Sequence, residues 1–246
     1  MQFTTTVLTA VLAAMASAQS LKIPTRVGSI VSLSKPETVT GSKDYGNKEY
    51  DRGRPCNSDK DTGSASAVFI LENGASISNV IIGANQLEGV HCKGACTLKN
   101  VWFRDVCEDA ISVLGTGNVL IQGGGAQNAK DKVVQHNGKG TVTIKDYTVV
   151  SVGKVFRSCG NCSKQYGPRS VTITNLKANG VTADIAGINS NYGDILTISG
   201  SCGTGVKNVC QEFKGILKSA GGESPKLTTK KNCQGAQGLL KTLPKC

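Results

Sequence analysis

Thirty of the 246 residues are glycine, 39% are hydrophobic and only 4% are aromatic, so the chain can fill one core but has few rings to fill it with. That fits a narrow core of stacked Val, Ile, Leu and Ala in a single domain better than a sandwich built around Trp and Tyr. A net charge of +11 draws polyanions. Basic residues interleaved with aromatics, which a single-strand nucleic-acid groove needs for stacking, are scarce; the expected partner is an acidic polysaccharide, with no nucleic acid and no membrane.

Residues 1–18 read as a secretory signal peptide. Val7 to Met15 is an apolar run too short to span a bilayer, and Ala16-Ser17-Ala18 before Gln19 has the small-x-small form that signal peptidase cuts. A secreted, extracellular protein is predicted, its mature part being one domain over residues 19–246 and a monomer. Cysteines 56, 92, 96, 107, 159, 162, 202, 210, 233 and 246 all follow the cut, and an even count in an exported chain implies a disulfide framework. That compartment, with only His91 and His136 as imidazoles, argues against zinc at Cys159-x-x-Cys162. Spacing leaves the pairing open, although a Cys233–Cys246 bridge would staple the tail.

Residues 19–65 are mixed: a strand at Gly28–Leu33 and a polar segment from Tyr45 to Gly63 are expected to form a cap and a first coil with loops. From Ala65 to about Gly200 a weak repeat takes over, reading Ile77-Ser78-Asn79, Leu98-Lys99-Asn100, Leu120-Ile121-Gln122, Ile144-Lys145-Asp146, Ile173-Thr174-Asn175 and Ile198-Ser199-Gly200. The marker positions 79, 100, 122, 146, 175 and 200 lie 21, 22, 24, 29 and 25 residues apart. A period in the twenties with one short strand per unit predicts an all-β parallel solenoid with capped ends. Glycines between the runs, including the triple at 123–125, suit tight corners, and no phosphate-loop pattern surrounds them. Asn79, Asn100 and Asn175 are expected to stack at one corner and hydrogen-bond along the axis. Beyond Ser201 the repeat fades into a Lys-rich tail that caps the far end.

Charged residues share one phase of this repeat. Glu88 and Asp109 each lie nine residues after a marker, Asp131 also nine, and Lys154 eight. Equal phase in a parallel solenoid means stacking about 4.8 Å apart, so Glu88 and Asp109 could share one cation. Lys132 then lies one coil further on, and Lys154 with Arg157 about 10 Å from Asp109. Such a row, acidic at one end and basic at the other, suits a linear uronic-acid polymer.

Residue types decide how that polymer is cut. Hydrolysis needs two carboxylates across the scissile bond, one of them protonated. Elimination needs an acidified proton beside the uronate carboxylate, a base to take it, and cations for the charge that develops. The mixture of acids and bases favours elimination, with Ca2+ as the hard-oxygen ion held by Glu88, Glu108 and Asp109. Lys132 or Lys154 could serve as base once burial or a neighbouring cation lowers its pKa, whereas a guanidinium such as Arg157 ordinarily keeps its proton.

Four segments carry a resemblance: Gly83-Ala84-Asn85-Gln86-Leu87-Glu88-Gly89-Val90-His91-Cys92, Asn100 through Cys107-Glu108-Asp109-Ala110, Asp131-Lys132-Val133-Val134-Gln135-His136-Asn137-Gly138, and Gly153-Lys154-Val155-Phe156-Arg157-Ser158-Cys159-Gly160-Asn161-Cys162. In this order, within residues 25–215, they resemble the secreted pectate lyases of polysaccharide lyase family three. The resemblance implies a right-handed parallel β-helix that cleaves polygalacturonate by calcium-dependent β-elimination. It matches Glu88, Glu108 and Asp109 to calcium-binding acids, and Lys132, Lys154 and Arg157 to the basic residues of substrate binding and catalysis. Among pectate lyases an Arg is the favoured base, so all three basic residues stay candidates. Two departures stand out. The stretch Ile111-Ser112-Val113-Leu114-Gly115 lacks the Lys that relatives carry there, and Phe103 and Phe156 replace frequent Trp and Tyr.

Overall fold

Ile77, Leu98, Ile121, Ile144, Ile173 and Ile198 stand in one parallel register, each paired with the next, and each is at most 1% exposed. The computed structural model describes residues 20–57 and 60–246, so the predicted signal peptide lies outside the described residues. Burying each of these side chains contributes about 2 kcal/mol, and stacking them coil upon coil makes the core a rod along the solenoid axis.

Three parallel sheets enclose that rod, as predicted for a β-helix. One contains Glu37–Val39, Ala67–Leu71, Glu88–Cys92, Asp109–Val113, Lys132–His136, the end of Thr148–Ser158, the end of Lys177–Asn189, and Cys210–Phe213. This is the sheet that carries the charged row. A second runs through the isoleucine stack. The third is formed by the later halves of strands such as Ala75–Ile82 and Cys96–Phe103, which bend from one sheet into the next.

The bend explains the asparagines. Asn79, Asn100, Asp146 and Asn175 have φ of 49°, 53°, 54° and 53°, in the left-handed region that short polar side chains tolerate best among residues bearing a Cβ. Asn100 Nδ2 donates to Asn79 Oδ1 at 2.7 Å, Asn79 to Asp44 Oδ2 at 2.7 Å, and Asn175 to Asp146 Oδ1 at 2.9 Å, so the expected stacking is present in two pieces. Between them the corner residue is Gly123, with φ 65°, and not the predicted Gln122. Leu120 is half-buried while Ile121 faces the core, and a slip of one residue on a strand exchanges faces.

The repeat also extends further at both ends than expected. Ser42–Asp51 is a ten-residue strand that pairs with Ala75–Ile82, hidden from the sequence reading because Tyr45 and Tyr50 are its only large apolar residues. The strand expected at Gly28–Leu33 shrinks to Val31–Ser32. Past Ser201, Cys202–Val206 and Cys210–Phe213 continue the solenoid. The tail is not stapled to itself: Cys233 bonds Cys210 and Cys246 bonds Cys202, because Cys233 lies on the last strand of the second sheet and the terminus runs beside Gly203. Cys56–Cys107, Cys92–Cys96 and Cys159–Cys162 complete five bridges, so the Cys159-x-x-Cys162 pair is a disulfide. Among the described residues no helix is long and apolar enough to cross a membrane.

Candidate functional site

Asp109 pairs in register with Lys132, Lys132 with Lys154, and Lys154 with Asp184, giving the predicted vertical row. Glu88 is in phase with Asp109, since Val90 pairs with Ile111. The member from the coil of Gly123 is thus Lys132, nine residues on from that corner; Asp131, placed in the row by the slipped marker, sits one residue earlier. Its half-exposed carboxylate bridges the row, accepting from Lys132 Nζ at 2.5 Å and Lys154 Nζ at 3.0 Å.

The acidic end is a cavity lined by Asp61, Ser64, His91, Glu108 and Asp109. Asp109 is 3% exposed, and its Oδ1 accepts no hydrogen bond, with Lys132 Nζ 3.4 Å away. Burial, only partly offset by Lys132 and reinforced by neighbouring Glu108, pushes the Asp109 carboxyl well above its ordinary range. Burial raises Glu108 as well. Two carboxyls disfavoured as anions and one buried oxygen without a donor are what a hard cation would relieve. Among the described residues no three acidic, His or Cys side chains converge closely enough to hold an ion alone.

Glu88 differs from these two. Its Oε1 accepts from Thr62 N at 2.7 Å and Thr62 Oγ1 at 3.2 Å, and its Oε2 lies 3.1 Å from His91 Nε2. Burial would raise its carboxyl, but these hydrogen bonds outweigh that and leave it lowered. It shares the row but does not line the cavity.

The basic end is a second cavity, bordered like the first by Lys132 and Gln135, so the two form one groove. Arg157 lies on its floor, 8% exposed. Nη1 donates to Asn189 Oδ1 at 2.9 Å, Nη2 to Ser224 Oγ at 2.6 Å, and the guanidinium lies 3.9 Å from the centre of the Phe213 ring. Glycine is required on both sides: a Cβ at Gly160 would come within 2.7 Å of Nη2, and one at Gly187 within 2.8 Å of Arg157 Cδ. Burial brings the guanidinium down to about 10. Lys132 moves the other way: burial works against its charge, but Asp109 and Asp131 overcome it and raise its pKa.

The pattern of the pectate lyase family matches residues 20–220. The chain belongs to that family. This pectate lyase is 54% identical to probable pectate lyase E of Neosartorya fischeri over 80% of its own length and 76% of the relative's. It is 52% identical to pectate lyase E of Emericella nidulans over the same shares. Among solved structures, the catalytic domain of pectate lyase PelI from Erwinia chrysanthemi superposes with a TM-score of 0.71 at 37% identity, covering 82% of this chain and 95% of that one. PelI in complex with tetragalacturonic acid gives 0.70 at 38% identity, over 82% and 67%. The pectate lyase is therefore a polysaccharide lyase on a parallel β-helix, as the resemblance implied.

Sequence reading missed several members of this groove. Asp184 is 3% exposed with Oδ2 unbonded, burial raising its pKa, and it lies nine residues after Asn175; the phase rule carried one coil further would have found it. Asn189, Phe213 and Ser224, which seat Arg157, follow it by 32, 56 and 67 residues and carry no shared phase.

Proposed function

We propose that this pectate lyase is secreted and cleaves de-esterified pectin, polygalacturonate, by calcium-dependent β-elimination to give unsaturated oligogalacturonides. The observation that carries the reading is the continuous groove in which the Glu108–Asp109 pair and the buried Arg157 are joined by Lys132. Five disulfides support an oxidising, extracellular setting.

Glu108 and Asp109 are the carboxylates that would hold calcium, with Glu88 as the third acid of the row, and substrate carboxylate and water completing the coordination. When bound, the ion acts as a Lewis acid on the uronate carboxylate and so acidifies the neighbouring C5 proton. Lys132, held by Asp109 and Asp131, keeps its own proton and stabilises the enolate-like charge. Lys154, bound to the same Asp131, faces the next uronate carboxylate along the groove.

Arg157 takes the proton. Near pKa 10, about a tenth of it is neutral at pH 9, against a few parts in ten thousand for an ordinary guanidinium. The electron pair left on C5 becomes the C4–C5 double bond as the bond from C4 to the glycosidic oxygen breaks; that oxygen takes a proton from solvent, to which Arg157 then returns the one it removed. Sequence chemistry alone favoured a lysine; the ion pairs of Lys132 and Lys154 and the burial of Arg157 reverse that preference. Incubation with polygalacturonate and calcium should produce a rising ultraviolet absorbance from the new double bond, abolished by chelator. Cleavage without that absorbance would show hydrolysis instead.

A further inference from the structure

Lys93 follows the strand Glu88–Cys92, whose Cys92 pairs with Val113, which pairs in turn with His136. Lys93, Leu114 and Asn137 therefore stand in one row on successive coils, and Leu114 and Asn137 both line the acidic cavity. Leu114 offers that cavity no charge. Lys93 is exposed, and its ammonium is fixed at the cavity rim: Nζ donates to Ser64 Oγ at 2.6 Å. Ser64 Oγ lies 3.0 Å from His91 Nδ1, and His91 Nε2 lies 3.1 Å from Glu88 Oε2. With Lys93 donating to the hydroxyl, Ser64 donates to His91 Nδ1 and His91 donates to Glu88. A chain of hydrogen bonds, buried at its Glu88–His91 end and exposed at its Lys93 end, thus ends in a cation with two further N–H groups to donate at the mouth of the groove.

We propose that Lys93 is a carboxylate-binding subsite at the N-terminal end of the groove, taking a uronate of the bound polymer one coil before the Glu108–Asp109 pair. The inference rests on the polygalacturonate reading above. A pre-placed ammonium loses little freedom on binding, and three coils of about 4.8 Å separate it from the coil of Arg157, so it lengthens the stretch of polymer held without touching the reacting bond.

The test compares the parent with Lys93→Gln, Leu114→Lys and the double variant, by retardation in gels containing polygalacturonate and by initial rates of ultraviolet absorbance. Lys93→Gln should weaken retention and raise KM about fivefold, leave kcat unchanged and flatten the salt dependence of binding. Leu114→Lys, which places an ammonium on the neighbouring coil, should restore both retention and KM in the Lys93→Gln background. Unchanged retention in Lys93→Gln overturns the proposal. So does weakened retention that Leu114→Lys does not restore, since that marks a structural role through Ser64. A parent chain that produces no double bond defeats the proposed reaction, and the retention series still decides the role of Lys93.

Discussion

Replacing Arg157 by Lys keeps a positive charge on the groove floor but removes the planar fork that reaches both Asn189 Oδ1 and Ser224 Oγ. One charge-assisted hydrogen bond and the stacking on Phe213 are lost, together about 2 kcal/mol. For a chain of this size about 2 kcal/mol lowers the melting temperature by about 4–8 °C. Loss of a placed general base costs about a thousandfold in kcat, whereas the calcium end and Lys132 are untouched and KM should stay within about threefold. The assay is the initial rate of ultraviolet absorbance on polygalacturonate, measured well below the variant's melting temperature. For the parent, kcat should climb with pH toward about 10 as the neutral guanidine accumulates. An Arg157→Lys variant that retains kcat within about tenfold, with the parent's pH profile, would refute the assignment of Arg157 as base.

Three further outcomes follow from the same geometry. If Asp109 holds the ion, calcium should raise the melting temperature of the parent and not that of Asp109→Asn, and an equal rise in both would remove Asp109 from the ion's shell. Because burial raises the folded-state pKa of Asp109, its contribution to stability in chelator is fully present below the unfolded value of about 3.9 and is lost as pH rises through the folded value. A calcium ion paired with the carboxylate would reverse that loss. The calcium-induced gain should therefore be smallest near about pH 4 and grow as pH rises through the raised folded-state value of Asp109, and a gain that ignores pH would contradict it. Asn100→Ala forces an Ala to φ 53° and removes hydrogen bonds to Asn79 and from Trp102, about 3 kcal/mol in all. Melting should fall by about 6–12 °C with kcat unchanged, and Asn100→Gly should recover part of the loss; a Gly variant as damaged as the Ala variant would show that backbone strain is not the cause.

The solenoid was legible because its corner residues are chemically marked. A left-handed residue at each bend restricts the position to Asn, Asp or Gly, and an apolar side chain two residues earlier must point inward. Where the marker is glycine the signal weakens: in the coil of Gly123 the sequence pattern points one residue early, to Asp131, whereas Lys132 is the member in register. The six predicted site residues do gather along one sheet, in or beside the row of Asp109, Lys132 and Lys154. What sequence could not supply is the environment of each: Glu88 is tied to Thr62 and His91, the lysines are tied to Asp131, and Arg157 is closed in by Phe213 and Ser224. Those contacts depend on loops of no fixed period, and on a tail that crosses back over the final coils before Cys246 reaches Cys202.

How the bond in the polymer is broken can be measured without reference to any residue. Tetragalacturonate is digested to completion, and the two fragments of each cleavage are weighed by mass spectrometry. Elimination leaves their summed mass equal to that of the substrate, one fragment being short of a water, and this is the predicted result. Fragments whose masses sum to the substrate plus one water would mean that the groove between Asp109 and Arg157 hydrolyses its substrate.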